Sequence, residues 1–159
     1  MSIIANSVTK LYGSQRAIDE VNFEIQAGEV VGFLGPNGAG KSTMMKIISC
    51  YIPPTSGQVS VNGLDVLDHP LEVKKLVGYL PEHNPLYLDM YVREYLEFVA
   101  GVYGLKEKSK QVSRMIEKVG LGVEQHKLIG ALSKGYRQRV GLAQALIHDP
   151  EILIMDEPT

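Results

Sequence analysis

The sequence predicts an α/β fold, and three stretches carry that expectation. The first is Val30-Val31-Gly32-Phe33-Leu34, a short apolar run suited to a buried parallel strand, which leads through a glycine-rich loop into a helix. The second is a change of hydrophobic period, from loose alternation early in the chain to a helical repeat beyond Tyr91. The third is Ile152-Leu153-Ile154-Met155, another run of buried-strand type, which ends in the carboxylates of Asp156 and Glu157.

In chain order, Ser2 to Lys10 alternates as a first strand, and Ala17 to Gln26 as a second, with Ile18, Val21, Phe23 and Ile25 as its apolar members. Between them lies Tyr12, which either covers a core edge or offers a stacking face to adenine. After the loop, Met44, Ile47, Ile48 and Tyr51 recur on one face and predict a helix over Lys41 to Tyr51. Pro53-Pro54-Thr55-Ser56-Gly57 breaks the chain, Gln58 to Val61 alternates as a half-exposed strand, and Asn62-Gly63 is a turn pair. Leu76 to Leu80 reads as a strand stopped by Pro81, and Pro81 to Pro85 as loop.

From Tyr91 the spacing of Tyr95, Phe98, Val99 and Val102 predicts a helix that Gly101 and Gly104 help to end. A second helix is expected near Ser109 to Val119, with Val112, Met115, Ile116 and Val119 inward. A third runs from Ser133 to about His148, with Ser133 as its N-cap and Pro150 closing it. Residues 1–159 thus read as one domain, with a helical segment over about 85–148 inserted in an α/β core.

Composition narrows the classes. Apolar residues at 45% and charged ones at 21% are globular values. A net charge of −2 with interspersed signs gives no broad basic surface, so nucleic acid is not an expected partner. Cys50 is the only cysteine, which excludes an internal disulfide framework and suits a reducing cytoplasm. No apolar run approaches the roughly 18 residues of a membrane span, and no signal-peptide core is present. If the protein works on a membrane, another chain is expected to span it.

The chemistry concentrates at Gly35-Pro36-Asn37-Gly38-Ala39-Gly40-Lys41-Ser42, followed by Thr43, which fits the phosphate-binding pattern G-x-x-x-x-G-K-S/T. Its glycines permit a tight turn in which backbone N–H groups converge on phosphate oxygens. Lys41 supplies a point charge for the β- and γ-phosphates, and the Ser42 hydroxyl is placed to ligate Mg²⁺. The loop joins a strand end to a helix N-terminus, where the dipole favours anions. Asp156 and Glu157 are either the solvated start of a loop or, at a strand C-terminus, a Mg²⁺ ligand and a water-polarising base. Ser133 is either a cap alone or a cap that also meets a ligand.

Together these pieces resemble the nucleotide-binding domain of the ATP-binding cassette (ABC) family. GPNGAGKS and ILIMDEPT are similar to the family's Walker A and Walker B motifs, and LSKGYRQRV resembles its LSGGQ signature, with Lys134 and Tyr136 departing from it. Tyr12 falls where the family places its adenine-stacking aromatic, and Glu82 stands where it has the Q-loop glutamine that senses Mg²⁺ and γ-phosphate.

The resemblance implies a phosphate-loop ATPase core with an antiparallel β subdomain and a helical insertion, ATP and Mg²⁺ as cofactors, and metal contacts from Ser42, Glu82 and Asp156. It implies a homodimer or pseudo-dimer closing head-to-tail, in which Ser133 and Gly135 contact the partner's γ-phosphate. Glu157 is then the general base or the water-positioning residue, Lys41 with Mg²⁺ neutralises developing charge, and a separate transmembrane permease is the partner at the inner face of the membrane. The family domain continues beyond Asp-Glu-Pro-Thr to a switch histidine, whereas His69, His83, His126 and His148 all precede that point, so the chain is expected to be the front part of a longer protein. The GYLPE and LSKGYRQR variants look most like exporter ATPases, and GYLPEHNPLYLDMYVREYL is similar to gliding-motility ATPase subunits of Bacteroidetes-type bacteria. Other readings are a soluble ABC ATPase acting on ribosomes or DNA, and a nucleotide-gated module without turnover.

Overall fold

The computed structural model describes residues 2–157, so Pro158 and Thr159 of the ILIMDEPT stretch lie outside the described residues. The chain divides into two compact units, residues 1–76 and 77–159.

The first unit is built on a long hairpin. Strands β1 (Ser2–Tyr12) and β2 (Gln15–Gln26) pair antiparallel, with Tyr12 opposite Gln15 across the turn. Strand β3 (Ser56–Val61) pairs with the other edge of β1, and the two-residue β4 (Leu64–Asp65) completes a sheet of order β2-β1-β3-β4. Alternation buries Ile3 and Ala5 of β1 and Val59 and Val61 of β3, and the irregularity between Ala5 and Val8 brings Val8 into the core as well. Helix α1 (Lys41–Ile48) contributes Met44, Ile47 and Ile48 to the core of this unit, and α2 (Pro70–Leu76) contributes Val73.

Helix α1 stops three residues before the expected Tyr51. The N–H of Tyr51 donates to Lys46 O at 2.8 Å, that of Cys50 donates to Ile47 O at 3.0 Å, and Cys50 is left-handed at φ 59°. This is a Schellman stop with cysteine where glycine is usual. Tyr51 is therefore exposed, its ring beneath the Lys74 ammonium at 5.8 Å, and is not part of the helix face. Burial raises the pKa of the Cys50 thiol above its ordinary value, although Lys74 opposes the shift.

A larger correction concerns Val30 to Leu34. The run forms no strand; Val30 and Val31 are exposed, and Leu34 is 95% exposed. A strand exists only through the ladder it joins, and among the described residues this run pairs with neither sheet. Phe33 alone finds cover, edge-on to Phe23 with ring centres 5.3 Å apart.

The second unit pairs β5 (Val77–Leu80) with β6 (Ile152–Met155) in parallel, Leu80 lying opposite Met155. Of the β6 run only Ile154 is buried, so the strand is less enclosed than its composition predicts. Helices α3 (Val92–Val102), α4 (Lys108–Lys118) and α5 (Lys134–Leu146) share one core that includes Leu96, Val112, Ile116, Leu121, Ile129 and Val140. Leu96 is fully buried, and truncating such a residue to alanine costs about 2–5 kcal/mol. Gly104 and Gly120, both at positive φ, close α3 and α4 with the same Schellman pattern that Cys50 supplies to α1. Phe98 and Val102 lie on the exposed side of α3 and not on its inward face.

Candidate functional site

The predicted phosphate loop lies in the first unit, and its geometry is set by Gly40. This residue is the N-cap of α1 at φ 86°, and a Cβ there would stand 2.4 Å from Ala17 O. Both the left-handed backbone and the space admit glycine alone. Glycine brings no side-chain cap, and the first turn of α1 holds no acid. The first-turn N–H groups therefore lack an intrahelical or side-chain acceptor at the positive end of the helix. Such an end suits an anion.

Lys41 closes the loop from within. Its ammonium donates to Gly35 O and Pro36 O, both at 2.8 Å, while the Ala39 N–H donates to Pro36 O at 3.2 Å. Gly35 to Ala39 are exposed, and Lys41, Ser42 and Thr43 are half-buried at the helix start. An open cleft of about 460 Å³ lies beside the loop, lined by Arg16, Ile18, Phe33, Gly40 and Lys41 among others. Tyr12, at the tip of the hairpin, is 50% exposed, with the Lys10 ammonium 5.5 Å from its ring centre. Lys10 is itself held by Pro53 O at 2.6 Å.

In the second unit, Asp156 is only 4% exposed, and its N–H donates to Leu80 O at 2.9 Å, which fixes it at the end of β6 beside β5. Glu157 follows in a left-handed conformation at φ 49° and is exposed. Glu82 is exposed in the loop after β5, its carboxylate 3.8 Å from His83 Nδ1. Ser133 caps α5 as expected; its Oγ accepts from the Tyr136 N–H at a long 3.4 Å. Lys134, Gly135 and Tyr136 are exposed beside it, and the Arg139 guanidinium lies 5.4 Å from the Tyr136 ring centre.

A cleft of about 450 Å³ brings the loop residues Glu82, His83 and Asn84 together with Lys134, Arg137 and Gln138 of α5. Sequence reasoning did not single out Asn84, Arg137 or Gln138. Arg137 ties the start of α5 to the preceding turn, donating from Nη2 to Gly130 O at 2.6 Å and from Nε to Ile129 O at 3.2 Å. Nothing in a one-dimensional pattern marks these contacts, although an asparagine between Glu82 and Pro85 is a polar side chain in a short, constrained loop.

Among the described residues no three His, Cys, Asp or Glu side chains cluster as a metal site. A divalent cation would need oxygen from phosphate and water as well, which is how Mg²⁺ is usually held. Taken singly, the donor types fit such a cation: the Ser42 hydroxyl of the first unit and the Asp156 carboxylate of the second are each hard oxygen ligands.

Comparisons with known proteins give the family. A family described as ABC transporter matches residues 18–159. The bacitracin transport ATP-binding protein BcrA of Bacillus licheniformis is 40% identical over 157 residues, covering 99% of this chain and 51% of that protein. The ABC transporter ATP-binding protein NatA of Bacillus subtilis is 40% identical over 147 residues, covering 91% of this chain and 60% of that protein. The chain thus spans about half the length of these curated relatives. Among solved structures, an ATP-binding subunit of an ABC transporter superposes with a TM-score of 0.89 at 30% identity, covering 99% of this chain and 67% of that one. The dimeric structure of the bacterial ABC transporter cassette MJ0796 gives 0.88 at 30% identity, covering 99% and 74%. The chain belongs to the ABC transporter family.

Proposed function

We propose that this chain forms the ATP-binding part of an ABC exporter ATPase that works with a separate membrane subunit. The observation that carries the reading is the start of α1: a terminus that only glycine can form, with no cap, beside a lysine held by its own loop. In the ligand-free loop Lys41 neutralises two carbonyls. With nucleotide bound it exchanges them for β- and γ-phosphate oxygens, while the N–H groups of Gly38 to Thr43 donate to the phosphates. Tyr12 stacks on adenine. Mg²⁺, with Ser42 and Asp156 as ligands and Glu82 nearby, would supply neutralisation of phosphate charge. Glu157 orients or deprotonates the attacking water, and Ser133 and Gly135 serve the nucleotide of a second cassette.

Support for assembly comes from relatives. The MJ0796 cassette is described as dimeric, and in one structure as a post-hydrolysis state bound to ADP and Pi. BcrA is described as a bacitracin transport protein, and YbhF of Escherichia coli as a probable multidrug ABC transporter ATP-binding protein. No described helix is long and apolar enough to cross a membrane. The assignment of the membrane pathway to a partner, and of this chain to its cytoplasmic face, follows from the family resemblance. The finer reading, a gliding-motility exporter, rests on the stretch from Gly78 to Leu96 alone.

The test is MgATP binding by thermal shift and turnover by phosphate release in the full-length protein, with Lys41→Ala and Glu157→Gln. Binding lost in the first variant, and kept without turnover in the second, is the expected result. Turnover that survives in Glu157→Gln would remove the residue from the chemistry.

A further inference from the structure

The loop bearing Glu82 is tied to α5 on both sides. Downstream, the Gly130 N–H donates to Leu88 O at 2.8 Å and the Ile129 N–H to Met90 O at 2.9 Å, and Arg137 of α5 holds the carbonyls of the same two residues. Upstream, the tie is one of shape. Gly141, buried in the middle of α5, leaves a notch, and the Asn84 amide nitrogen fills it. A Cβ at Gly141 would stand 1.8 Å from Asn84 Nδ2 and 2.9 Å from Leu80 Cδ1. That amide nitrogen is buried and has no hydrogen-bond partner, and neither does Gln138 Oε1, one helical turn before the notch. The Asn84 backbone carbonyl accepts from the Leu86 N–H at 2.9 Å, but the unbonded amide donor opposes the packing, so the side chain is seated by steric fit.

We propose that Asn84 is a positioning residue. Seated in the Gly141 notch, it fixes Glu82 to α5, so that the carboxylate and the Ser133 end of the helix move as one body. Gly141 lies eight residues beyond Ser133, about 12 Å along the helix axis, and a packed helix transmits displacement over that length. The proposal rests on the reading of Glu82 and Ser133 as nucleotide-responsive residues. It adds how one chain links them: an asparagine in a glycine notch, a fit that neither residue provides alone.

The test compares Asn84→Ala, Gly141→Ala and the double variant with wild type in the full-length protein, by melting temperature and by steady-state ATP hydrolysis. Glycine to alanine within a helix ordinarily stabilises. With Asn84 held in the notch, Gly141→Ala is expected instead to lower the melting temperature, and in the Asn84→Ala background, where only Leu80 Cδ1 must give way, to lower it less or raise it. Asn84→Ala alone changes melting little, because the cavity it leaves in the notch offsets the removal of an unbonded buried donor. A merely structural contact predicts that the double variant regains wild-type turnover with its stability. A positioning contact predicts that the double variant, like Asn84→Ala alone, keeps its KM for MgATP within about twofold yet loses about tenfold in kcat, short of the hundredfold that a full ångström of misplacement costs. Gly141→Ala that stabilises the wild type would show that Asn84 yields the notch freely and is not held in it, and full turnover in the double variant would show Asn84 to be packing only. A wild type without an MgATP-dependent shift overturns the ATPase reading itself, and the melting comparison then still reports on the notch.

Discussion

Two helix N-termini in this protein meet the same electrostatic problem in opposite ways. At α1 the cap is Gly40, left-handed, with no side chain and no room for one. At α5 the cap is Ser133, extended, with its own hydroxyl on the Tyr136 N–H at 3.4 Å. An unsatisfied helix start is unfavourable in isolation, so α1 keeps its donors free only because the loop, Lys41 and the contact with Ala17 hold that shape. The other start is stable alone, and its long cap bond is weak enough to exchange. In the function proposed above, the first serves a resident ligand and the second one brought by another molecule.

The strongest way to break the comparison is to put a side chain at the first cap. Gly40→Ala should lose MgATP binding and destabilise the first unit, by about 1–2 kcal/mol from the left-handed backbone alone, with the Ala17 O collision added. Urea denaturation with and without MgATP measures both, and an unaltered protein would mean that the loop tolerates another shape. Lys41→Ala should act differently: little change in the free protein, but loss of the roughly 2.7 kcal/mol that a ligand at 100 times Kd provides. A persisting shift in that variant would leave the loop amides as the sufficient phosphate site.

The second cap responds less. Ser133→Ala should cost about 0.5–1 kcal/mol, the lower part of the usual capping range, because the bond is long. Ser133→Arg should leave nucleotide affinity of the single subunit nearly intact and prevent ATP-driven dimerisation. Equilibrium binding alongside sedimentation reads both, and loss of binding in the single subunit would move Ser133 into its own nucleotide site.

The same contrast explains what could be read from one dimension. The Gly40-Lys41-Ser42 loop, the Ser133 cap and the glycine stops after α3 and α4 are local devices, each written in a few adjacent residues. Features that depend on remote partners were not legible. Val30 to Leu34 has the composition of a central strand, but composition cannot supply the neighbouring ladder. Helix α2 buries Val73 alone, and one inward residue in a seven-residue helix sets no period. The early stop of α1 turns on Cys50 adopting a conformation that usually signals glycine. At the site, the residue types at Tyr12, Glu82 and Asp156 were legible, whereas the burial of Asp156 and the Asn84 contact with Gly141 required the fold.

The smallest expected effect sharpens the comparison at the far end of α5. His148 lies two residues beyond that helix, near the negative end of its dipole, where a cation would ordinarily be favoured. Burial opposes this and prevails: it pushes the imidazole below its ordinary value of 6.5, although a hydrogen bond to Val77 O and the nearby Asp149 raise it. The ring stacks on Tyr103 with centres 4.0 Å apart, Nε2 lies 3.3 Å from Val77 O, and Nδ1 is buried without a partner. The neutral tautomer with its proton on Nε2 suits this setting, since protonating Nδ1 would add a buried donor with nothing to accept it. The native state therefore binds the proton more weakly than the unfolded chain. Stability from this group is complete above about pH 6.5, falls as the pH drops below that, and levels off once the native imidazole is also protonated. His148→Phe keeps a ring for Tyr103 and cannot titrate, so it should lose less stability than wild type between about pH 7.5 and about pH 5.5, whatever its absolute stability without the Val77 bond. Urea denaturation at the two pH values gives the difference. Equal acid sensitivity in both proteins would mean that His148 titrates alike in the native and unfolded chains, and would place the source of the acid sensitivity elsewhere.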